Sequence, residues 1–525
     1  MTEFLTANMA PIMFASLILF LMFGYAVTFS LAACGLFFGF VGIELGMIQP
    51  AFLQSLPLRM FGIMQNDTLL AIPFFTFMGL ILERSGMAED LLDTIGQLFG
   101  PIRGGLAYAV IFVGAMLAAT TGVVAASVIS MGLISLPIML RYGYDRRVAS
   151  GVIAASGTLA QIIPPSLVLI VLADQLGQSV GDLYHGAFGP ALLLTGFYVL
   201  YVLVISLVRP EWVPAMPAAA RTLGGRPLDS GWRSQMRLYG HVALVLVPPL
   251  ALIFLVLGTI FLGIATPTEG GAMGAVGALV MAILRRRLDM SLLRQAMDST
   301  ARLSCFVMFI LIGSTVFSLT FQAVDGPKWV EQLLTGLPGG ALGFLIIVNV
   351  LIFVLAFFLD FFELAFIVVP LLAPVAAALG IDLVWFGVLL AVNMQTSFMH
   401  PPFGFALFYL RSVAPEREYT DAVTGRRMAP VTIGQIYRGA IPFVLIQLTL
   451  VALIIAFPQL VSRGDKEVTR IDADAVLQQM QTDQNAVDAA DAASAAESHD
   501  PTAADEDPLK ALQESMEADR KASGR

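Results

Sequence analysis

Two proline pairs, each preceded by small polar residues, stand inside otherwise apolar stretches of the sequence. The first lies in SGTLAQIIPPS (156–166) and the second in NMQTSFMHPPFG (393–404). Proline removes a backbone N–H and clashes with the preceding helical turn, so each pair predicts a broken helix. A break frees carbonyl oxygens on one side and leaves N–H groups at a positive dipole end on the other. The carbonyls suit a small cation such as Na⁺, and the N–H groups suit a carboxylate.

The candidate ligands divide according to this chemistry. The cation candidates are the oxygen-bearing residues before the breaks, namely Ser156, Gly157, Thr158, Asn393, Thr396 and Ser397. The substrate candidates flank the prolines and the helix starts that come after them, namely Pro165, Ser166, His400, Pro402, Phe403 and Gly404. A kinked helix needs no function, but two pairs at equivalent positions favour a built site. His400 is equally consistent with a hydrogen-bonded packing role.

Asp360 and Glu363 form another polar group inside an apolar stretch, in LDFFELAF. Their D-x-x-E spacing is typical of a capping box that opens a helix. An intramembrane carboxylate is also a candidate for binding a proton or a cation. The sequence leaves both interpretations of Asp360 open.

The composition is that of a polytopic membrane protein. Of the 525 residues, 58% are hydrophobic and 13% are charged, and the mean hydropathy is +0.83, which soluble domains do not reach. About ten apolar runs approach the length of a bilayer crossing. We expect contacts with membrane lipid and none with nucleic acid. Cys34 and Cys305 lie in apolar runs without disulfide or metal-site spacing, and we expect both to pack in the core.

The negative charge of the chain is concentrated in its tail. The formal net charge is −9, and from Asp465 onward there are 15 acidic and six basic residues. This Ala-, Asp- and Gln-rich stretch has no aromatic residue and cannot bury enough apolar surface to fold alone. We predict a disordered acidic tail over 463–525, with a docking peptide for a partner as the alternative.

The proline pairs belong to two copies of one larger pattern. Each copy has a Gly-Gly pair, an apolar run, a polar interruption, a second apolar run and the proline pair. Pro164 and Pro401 are offset by 237 residues, and Tyr184-His-Gly-Ala is echoed by Tyr437-Arg-Gly-Ala at an offset of 253. We therefore predict two repeats joined by an Arg-rich linker, with the boundaries 1–208, 209–240 and 241–462.

Each polar interruption predicts the tip of a re-entrant hairpin, whose two apolar arms return to the same side of the membrane. Hairpin 1 is expected over 106–140 with its tip at TTG (120–122), and hairpin 2 over 341–378 with its tip at DFFE (360–363). The broken helices are expected over 147–175 and 384–410. The fold class is thus an all-α polytopic membrane protein with two repeats, each containing a re-entrant hairpin and a helix broken at Pro-Pro.

The positive charges predict that the repeats are inverted. The base of hairpin 1 carries basic residues at Arg103, Arg141, Arg146 and Arg147, whereas the corresponding segments 337–345 and 379–386 carry no Lys or Arg. The positive-inside rule then places the first base and the linker in the cytoplasm and the second base in the periplasm. Both termini would lie outside.

Four stretches together resemble the large permease subunit of tripartite ATP-independent periplasmic (TRAP) transporters. They are NDTLLAIPFFTFMGLILERSGMAEDLLD, RYGYDRRVASGVIAASGTLAQIIPPS, GIATPTEGGAMGAVGAL and GIDLVWFGVLLAVNMQTSFMHPPFGFALFYLRSVAP. The similarity extends over nearly all of residues 10–460. The last stretch looks like the branch associated with mannitol, chloroaromatic and 2-oxo acid substrates.

This resemblance implies Na⁺-driven symport of a small organic acid, such as a dicarboxylate, across the bacterial inner membrane. It implies an elevator-type ion-transporter-like fold, a small four-helix membrane subunit and a periplasmic solute-binding protein as partners. It also adds the hairpin-1 tip, Thr120, Thr121 and Gly122, to the Na⁺ candidates, and supports Asp360 at the hairpin-2 tip. This chain departs from the pattern of many family members at two places that bear on substrate or ion choice. Thr121-Gly122-Val123 stands where they have a Ser-Gly-Ser-like tip, and His400 stands where they have a threonine.

Other functional classes leave more of the sequence unexplained. The chain has no GxxxxGK[ST] loop and no H-E-x-x-H motif, so we expect neither ATP hydrolysis nor a zinc site, and no cofactor besides Na⁺ as coupling ion. A stand-alone divalent-anion/Na⁺ symporter remains the alternative among transporters. An intramembrane enzyme would have His400 and Asp360 as its acid-base residues, but it leaves the inverted repeats without a purpose.

Overall fold

The computed structural model describes residues 2–217, 220–223, 226–228, 231–336, 338–421 and 423–461. The acidic tail predicted over 463–525 lies outside these residues. The described chain is almost entirely helical, as the hydropathy predicts. Its few strands are two two-residue antiparallel pairs, β1–β2 (Thr222–Leu223 with Arg226–Pro227) and β3–β4 (Tyr419–Thr420 with Arg427–Met428).

Seven helices precede the first hairpin. They are α1 (Thr2–Ala7), α2 (Met9–Met22), α3 (Val27–Glu44), α4 (Pro50–Leu53), α5 (Leu56–Met64), α6 (Ala71–Arg84) and α7 (Met87–Phe99). Hairpin 1 is formed by α8 (Gly105–Thr121) and α9 (Val124–Arg141). The first broken helix consists of α10 (Arg146–Thr158) and α11 (Leu167–Leu176), followed by α12 (Val180–Val208).

The second repeat has the same order of elements. Its first helices are α13 (Trp232–Phe261), α14 (Pro267–Leu284), α15 (Met290–Ala323) and α16 (Gly326–Thr335). Hairpin 2 contains α17 (Gly340–Leu355), α18 (Phe361–Glu363), a π-helical turn (Leu364–Val368) and α19 (Val369–Ala378). The second broken helix consists of α20 (Leu383–Met394) and α21 (Phe405–Val413), followed by α22 (Ile433–Ala456).

Eight helices in the described part of the chain are long and apolar enough to cross a membrane, or nine if the bent pair α16–α17 is one span. This is fewer than the about ten predicted from apolar runs. Several apolar helices are too short, because α2 and α6 have 14 residues each, whereas a straight crossing takes roughly 20. The eight include the second arms of both hairpins and leave out the broken helices, whose halves are shorter, so the number of crossings stays a prediction.

The last residues of the predicted linker 209–240 are helical, because α13 begins at Trp232. The sequence WRSQMRLYG is polar enough to look like a loop, but Arg, Gln, Met and Leu are good helix formers. The described linker residues include a short 3-10 turn (Pro210–Trp212) and the β1–β2 pair. The arginines that predicted a cytoplasmic linker thus lie partly in the first turns of a helix.

The two repeats pack into each other at equivalent glycines. Gly439 of α22 lies against the backbone of α10 at Arg147 and Gly151, and Gly186 of α12 lies against Val384 and Val388 of α20. Each broken helix is therefore held by the last helix of the other repeat. Backbone contact through glycine brings helices close without polar groups, as is common inside membranes.

The expectation that both cysteines pack in the core is wrong for Cys305. Cys34 is buried, with its Sγ donating to the carbonyl of Met13 at 3.5 Å, but Cys305 is exposed on α15. An apolar run in a membrane protein has faces toward lipid as well as toward the core, so the run alone does not decide burial.

Candidate functional site

The first break is fully enclosed. After α10, a 3-10 turn (Leu159–Gln161) leads to Pro164 and Pro165, whose connecting peptide bond is cis, and α11 starts behind Ser166. The Ser166 hydroxyl accepts the N–H of Leu169 at 3.4 Å and donates to the carbonyl of Gln161. Ser166 is thus the N-cap of α11 and closes the break onto itself.

The second break has the same backbone course with different closure. A 3-10 turn (Gln395–Phe398) follows α20, the peptide bond between Pro401 and Pro402 is again cis, and α21 starts behind Gly404. Glycine offers no side chain for capping, and the Gly404 N–H donates to the His400 carbonyl at 2.6 Å. Pro402 and Phe403 are exposed, whereas the corresponding residues of the first break are buried.

The repeated tyrosines explain one of the echoes in the sequence. The Tyr184 hydroxyl donates to the carbonyl of Ser166 at 3.4 Å, and the Tyr437 hydroxyl donates to the carbonyl of Pro402 at 3.1 Å. Both partners are carbonyls at the proline pair, where the helical hydrogen-bond pattern is interrupted. A tyrosine at the same place in each repeat thus supplies a donor to the broken backbone.

The tip of hairpin 1 meets the first break at Gly122, which has a left-handed φ of 58° and ends α8. A Cβ at this position would lie 3.6 Å from the Pro165 carbonyl oxygen and 3.6 Å from the Leu167 nitrogen. The positive φ favours glycine at this position. The Thr120 hydroxyl donates to Leu117 at 2.9 Å, and the side chain of Thr121 lies outside the described part of the structure.

Hairpin 1 also encloses the end of α10. Gly114 of the first arm contacts Ser156, and Gly157 contacts Val128 of the second arm. The three predicted cation residues Ser156, Gly157 and Thr158 therefore lie between the two arms. The tip itself lies at Pro165 and Leu167, and the ion-binding role of the tip and of these three residues stays a prediction.

The tip of hairpin 2 is organised by the capping box that the sequence indicates. The Asp360 carboxylate accepts the Glu363 N–H at 2.9 Å, and the Glu363 carboxylate accepts the Asp360 N–H at 2.9 Å. The arm before it is tied to the second break, because the Asn393 side-chain amide donates to the backbone and side-chain oxygens of Asn349 at 2.8 and 2.9 Å. Capping is established; the proton or cation role of Asp360 stays a prediction.

Both breaks hold buried polar atoms that find no hydrogen-bond partner within the described residues. At the first break these are Ser156 Oγ and Gln161 Oε1; at the second they are Asn393 Oδ1, Gln395 Oε1, Ser397 Oγ and both ring nitrogens of His400. The hydroxyls of Thr158 and Thr396 donate to carbonyls at 2.8 and 2.6 Å, and the Thr158 hydroxyl also accepts the side-chain amide of Gln395 at 3.2 Å. Buried oxygens without partners are costly unless something else binds them.

A cavity of about 260 Å³ lies where the two hairpin tips and the two breaks meet. Its polar side chains are Gln161, Asp360 and Tyr409, and the rest of its wall is apolar. The wall includes the first residues of several helices, namely Val124 and Ala125 of α9, Leu167 and Val168 of α11, Phe361 and Phe362 of α18, and Phe405 of α21. Positive helix ends therefore converge on this cavity from both repeats.

Gly122 and Asp360 are the predicted candidates that line this cavity. The six substrate candidates are not part of its wall; Phe403 lines a separate groove between hairpin 2 and the turn after α2. Sequence reasoning missed Gln161 and Tyr409. Gln161 stands three residues before Pro164, so its position next to the break was the available signal, while Tyr409 is placed only by tertiary packing.

His400 is packed between two rings of the first arm of hairpin 2. Its ring stacks on Phe357 with centroids 4.3 Å apart and meets Phe353 edge-on at 4.2 Å. It is 1% exposed. The structure thus places His400 against hairpin 2 and away from the wall of the central cavity, and it does not pair His400 with Asp360 by a hydrogen bond.

Comparison with known proteins identifies relatives over the same part of the chain. The model of the family described as tripartite ATP-independent periplasmic transporter, DctM component, matches residues 14–460. The C4-dicarboxylate TRAP transporter large permease protein DctM of Pseudomonas aeruginosa is 30% identical over 415 residues, which are 78% of this chain and 89% of that protein. Its counterpart from Rhodobacter capsulatus is 29% identical over 414 residues, 76% and 89% of the two chains.

A solved structure shares the fold. The YdaH transporter of Alcanivorax borkumensis superposes with a TM-score of 0.54 at 16% identity, covering 80% of this chain and 91% of that one. At this level of identity the likeness concerns the architecture alone. It supports the all-α transporter fold of hairpins and broken helices predicted from the sequence.

Proposed function

The chain belongs to the DctM component family of tripartite ATP-independent periplasmic transporters, and on that premise we propose that it carries a small organic acid into the cell by Na⁺ symport. It is a multi-pass transport protein of the bacterial inner membrane, and permeases of its family work with a small membrane subunit and a periplasmic binding protein. The proposal extends this to Na⁺ as driving ion, to a four-helix small subunit and to delivery by the binding protein.

The observation that supports an acidic substrate is the convergence of helix N-termini on the central cavity. The wall contains Asp360 and no Lys or Arg, so side chains do not attract an anion there. The first N–H groups of α9, α11 and α21 precede the first helical hydrogen bond and carry the positive dipole ends, although the Leu169 N–H of α11 is bound by Ser166. A carboxylate in this cavity would be bound by backbone donors.

Na⁺ coupling is supported by the oxygen atoms at the breaks. At the first break the ion would be held by residues Ser156 to Thr158 and the hairpin-1 tip, and at the second by Asn393, Thr396 and Ser397 with the hairpin-2 tip. The partnerless oxygens Ser156 Oγ, Ser397 Oγ and Asn393 Oδ1 fit a hard cation. A bound Na⁺ would neutralise these dipoles and favour the anion nearby. Clusters of three or more His, Cys, Asp or Glu side chains are absent from the described residues, so the donors favour an alkali cation over a transition metal.

An elevator movement is supported by the way the helices associate. Helices α3 and α15 pack together, as do α6 and α14, while the hairpins, the broken helices, α12 and α22 pack mainly among themselves. Polar links between the two groups include Asn66 to Asp174 at 2.6 Å and Ser314 to the Phe366 carbonyl at 2.6 Å. We propose that the second group, with its cavity, moves against the first.

The experiment that tests this function is uptake into proteoliposomes that contain the chain and its small subunit. A panel of organic acids is supplied with and without a Na⁺ gradient and with and without the binding protein. Uptake that requires the Na⁺ gradient and the binding protein together supports the proposal. The acid that is taken up is then the substrate. Uptake by the chain alone would favour the stand-alone divalent-anion/Na⁺ symporter, and chemical conversion of the acid without accumulation would favour the enzyme.

A matched pair of variants tests whether the central cavity is the substrate site. Ala125 lines the cavity and its neighbour Ala126 does not, although both are half-buried on α9. Filling the cavity with Ala125→Leu should abolish most uptake, and Ala126→Leu should leave most of it. Equal uptake by the two variants, at equal amounts of folded protein, would place the substrate elsewhere.

A further inference from the structure

A buried hydrogen bond joins the two broken helices at equivalent positions of the repeats. The side-chain amide of Gln395 donates to the Thr158 hydroxyl at 3.2 Å, and both residues are fully buried. Thr158 stands six residues before Pro164, and Gln395 stands six residues before Pro401. Since equivalent residues of two repeats meet only near the axis that relates them, this bond lies at the centre of the internal symmetry.

The bond is part of a short polar chain that alternates between the repeats. The side-chain amide of Gln447 on α22 donates to the Tyr198 hydroxyl on α12 at 3.0 Å. The Tyr198 hydroxyl also interacts with the Thr158 side chain. Tyr198 and Gln447 are as buried as Gln395 and Thr158. Polar side chains enclosed in this way specify one arrangement of the helices around them.

We infer that Gln395 is a positioning residue that couples the two breaks, so that Na⁺ bound at one break raises the affinity for Na⁺ at the other. The inference rests on the proposed Na⁺ symport. Gln395 is not among the proposed ion ligands; it acts through the hydroxyl of Thr158, which is one of them, and not on the substrate.

The route of the coupling is short on both sides. Thr158 is the last residue of α10, directly after Ser156 and Gly157, so an ion that draws in these carbonyls moves the Thr158 hydroxyl. Gln395 precedes Thr396 and Ser397 in the 3-10 turn of the second break. When the backbone at one break moves, the hydrogen bond between Gln395 and Thr158 transmits the movement to the other break. The coupling is reciprocal, because each ion must change the affinity for the other by the same factor.

The test is a Na⁺ titration of the purified full-length protein with the unfolding temperature as readout, at constant ionic strength held with choline. This readout needs no transport, because an ion that binds the native state raises its stability. We expect a cooperative titration in the wild type. Gln395→Met keeps the side-chain length and removes the donor, and we expect it to lower the Hill coefficient toward one and to raise half-saturating Na⁺ about fivefold.

Three further variants keep the test decisive. Gln395→Leu also removes the amide donor and should titrate like Gln395→Met, whereas Gln447→Met, which breaks the neighbouring bond to Tyr198 and leaves the one between the breaks, should titrate like the wild type. Thr320→Val removes an equally buried cross-helix hydrogen bond, from Thr320 to the Gly35 carbonyl at 2.8 Å, far along the chain from either break. It should lower the unfolding temperature without changing cooperativity.

The outcomes separate this inference from the function on which it rests. A wild type whose stability does not respond to Na⁺ would overturn the ion coupling and the inference together. A cooperative wild type with equally cooperative Gln395→Met and Gln395→Leu would overturn the link between the breaks and leave Na⁺ symport intact. If Gln395→Met does not fold, the comparison of Gln395→Leu with Gln447→Met decides.

Discussion

The two proline breaks have the same backbone course, yet the first is closed and the second is open. Around Pro164 and Ser166 the chain is buried and capped, whereas Phe403 is 51% exposed and Gly404 starts α21 without a side-chain cap. Prolines and tyrosines recur in both repeats, but the residues that close the break do not. The duplicated backbone thus provides the polar atoms, and single side chains determine which break is accessible in this conformation.

The largest expected effect concerns the glycines that hold the two broken helices. A Cβ at Gly439 would lie 3.0 Å from the carbonyl carbon of Arg147 and closer to its oxygen, and this backbone cannot move away easily. A Cβ at Gly186 would meet only side-chain methyls, that of Val461 at 2.9 Å and those of Val384 and Val388 at 3.3 Å, and methyls can shift. We expect Gly439→Ala to cost roughly 3 kcal/mol or more and Gly186→Ala about 1 kcal/mol.

Size-exclusion profiles and unfolding temperatures of the two variants check this difference. Gly439→Ala should give little monodisperse protein, while Gly186→Ala should purify like the wild type with a slightly lower unfolding temperature. Equal losses of monodisperse protein in the two variants would mean that the helix contacts at Gly439 and Gly186 are equally important.

The next largest effect tests whether each break is an ion site. Ser156 Oγ and Ser397 Oγ are both buried without partners among the described residues. If each break binds one Na⁺, Ser156→Ala and Ser397→Ala should each raise the Na⁺ concentration for half-maximal uptake about tenfold, equivalent to about 1.4 kcal/mol of binding. The Na⁺ dependence of uptake, normalised to folded protein, measures this. A change in one variant only would assign the ion to that break, and a change in neither would remove both assignments.

A smaller effect concerns the caps. Ser166→Ala removes the N-cap of α11 and should cost about 1 kcal/mol of stability. The opposite substitution, which adds a serine at Gly404, does not stabilise the second break. A Cβ at Gly404 would lie 2.6 Å from the Phe398 oxygen. We expect Gly404→Ser to lower the unfolding temperature instead of raising it. A more stable Gly404→Ser would show that the open break lacks only a cap.

The smallest effect concerns the connection that leads out of each broken helix. α11 leads into α12 through a turn at Gly177, whereas a longer loop with the β3–β4 pair comes after α21 and is tied to hairpin 1. There Asp421 binds Arg141 at 2.9 Å with 5% of its side chain exposed. The hydrogen bonds from Arg141, and then from Thr424, lower the pKa of Asp421 to about 2.

This lowered pKa makes the attachment dependent on pH. Because the folded-state pKa is below the usual value of about 4, the stabilisation is complete above that value and is lost as the pH falls from about 4 to about 2. Asp421→Asn should therefore lower the unfolding temperature by a few degrees at pH 6 and by less at pH 3. A difference that stays constant between these pH values would contradict a role for the ionised carboxylate.

Much of the architecture is predictable because it depends on local chemistry. The breaks, the hairpin tips and the capping box at Asp360 are visible in the sequence because polar residues stand there inside apolar runs. Proline alone does not end a helix, since Pro248 and Pro249 lie inside α13. The first broken helix is predicted over 147–175, and the structure has α10 and α11 between Arg146 and Leu176. Equivalent tyrosines signalled a shared role even though their partners were unknown.

The remaining features depend on contacts between distant segments. Tyr409 reaches the central cavity, and Gln395 reaches Thr158, only because the two repeats interlock. Cys305 is exposed because apolar surface in a membrane protein faces lipid as well as core. No local pattern distinguishes these cases, since the same residue types satisfy either environment.

The interlocking of the repeats has a consequence for biogenesis. During synthesis, α10 and its hydroxyl residues leave the ribosome long before α22, the helix that packs on them through Gly439. Until α22 is made, the face of α10 at Arg147 and Gly151 stays uncovered, although hairpin 1 already covers Ser156 and Gly157. A ribosome stalled before α22 would present a first half that is inserted but not yet folded.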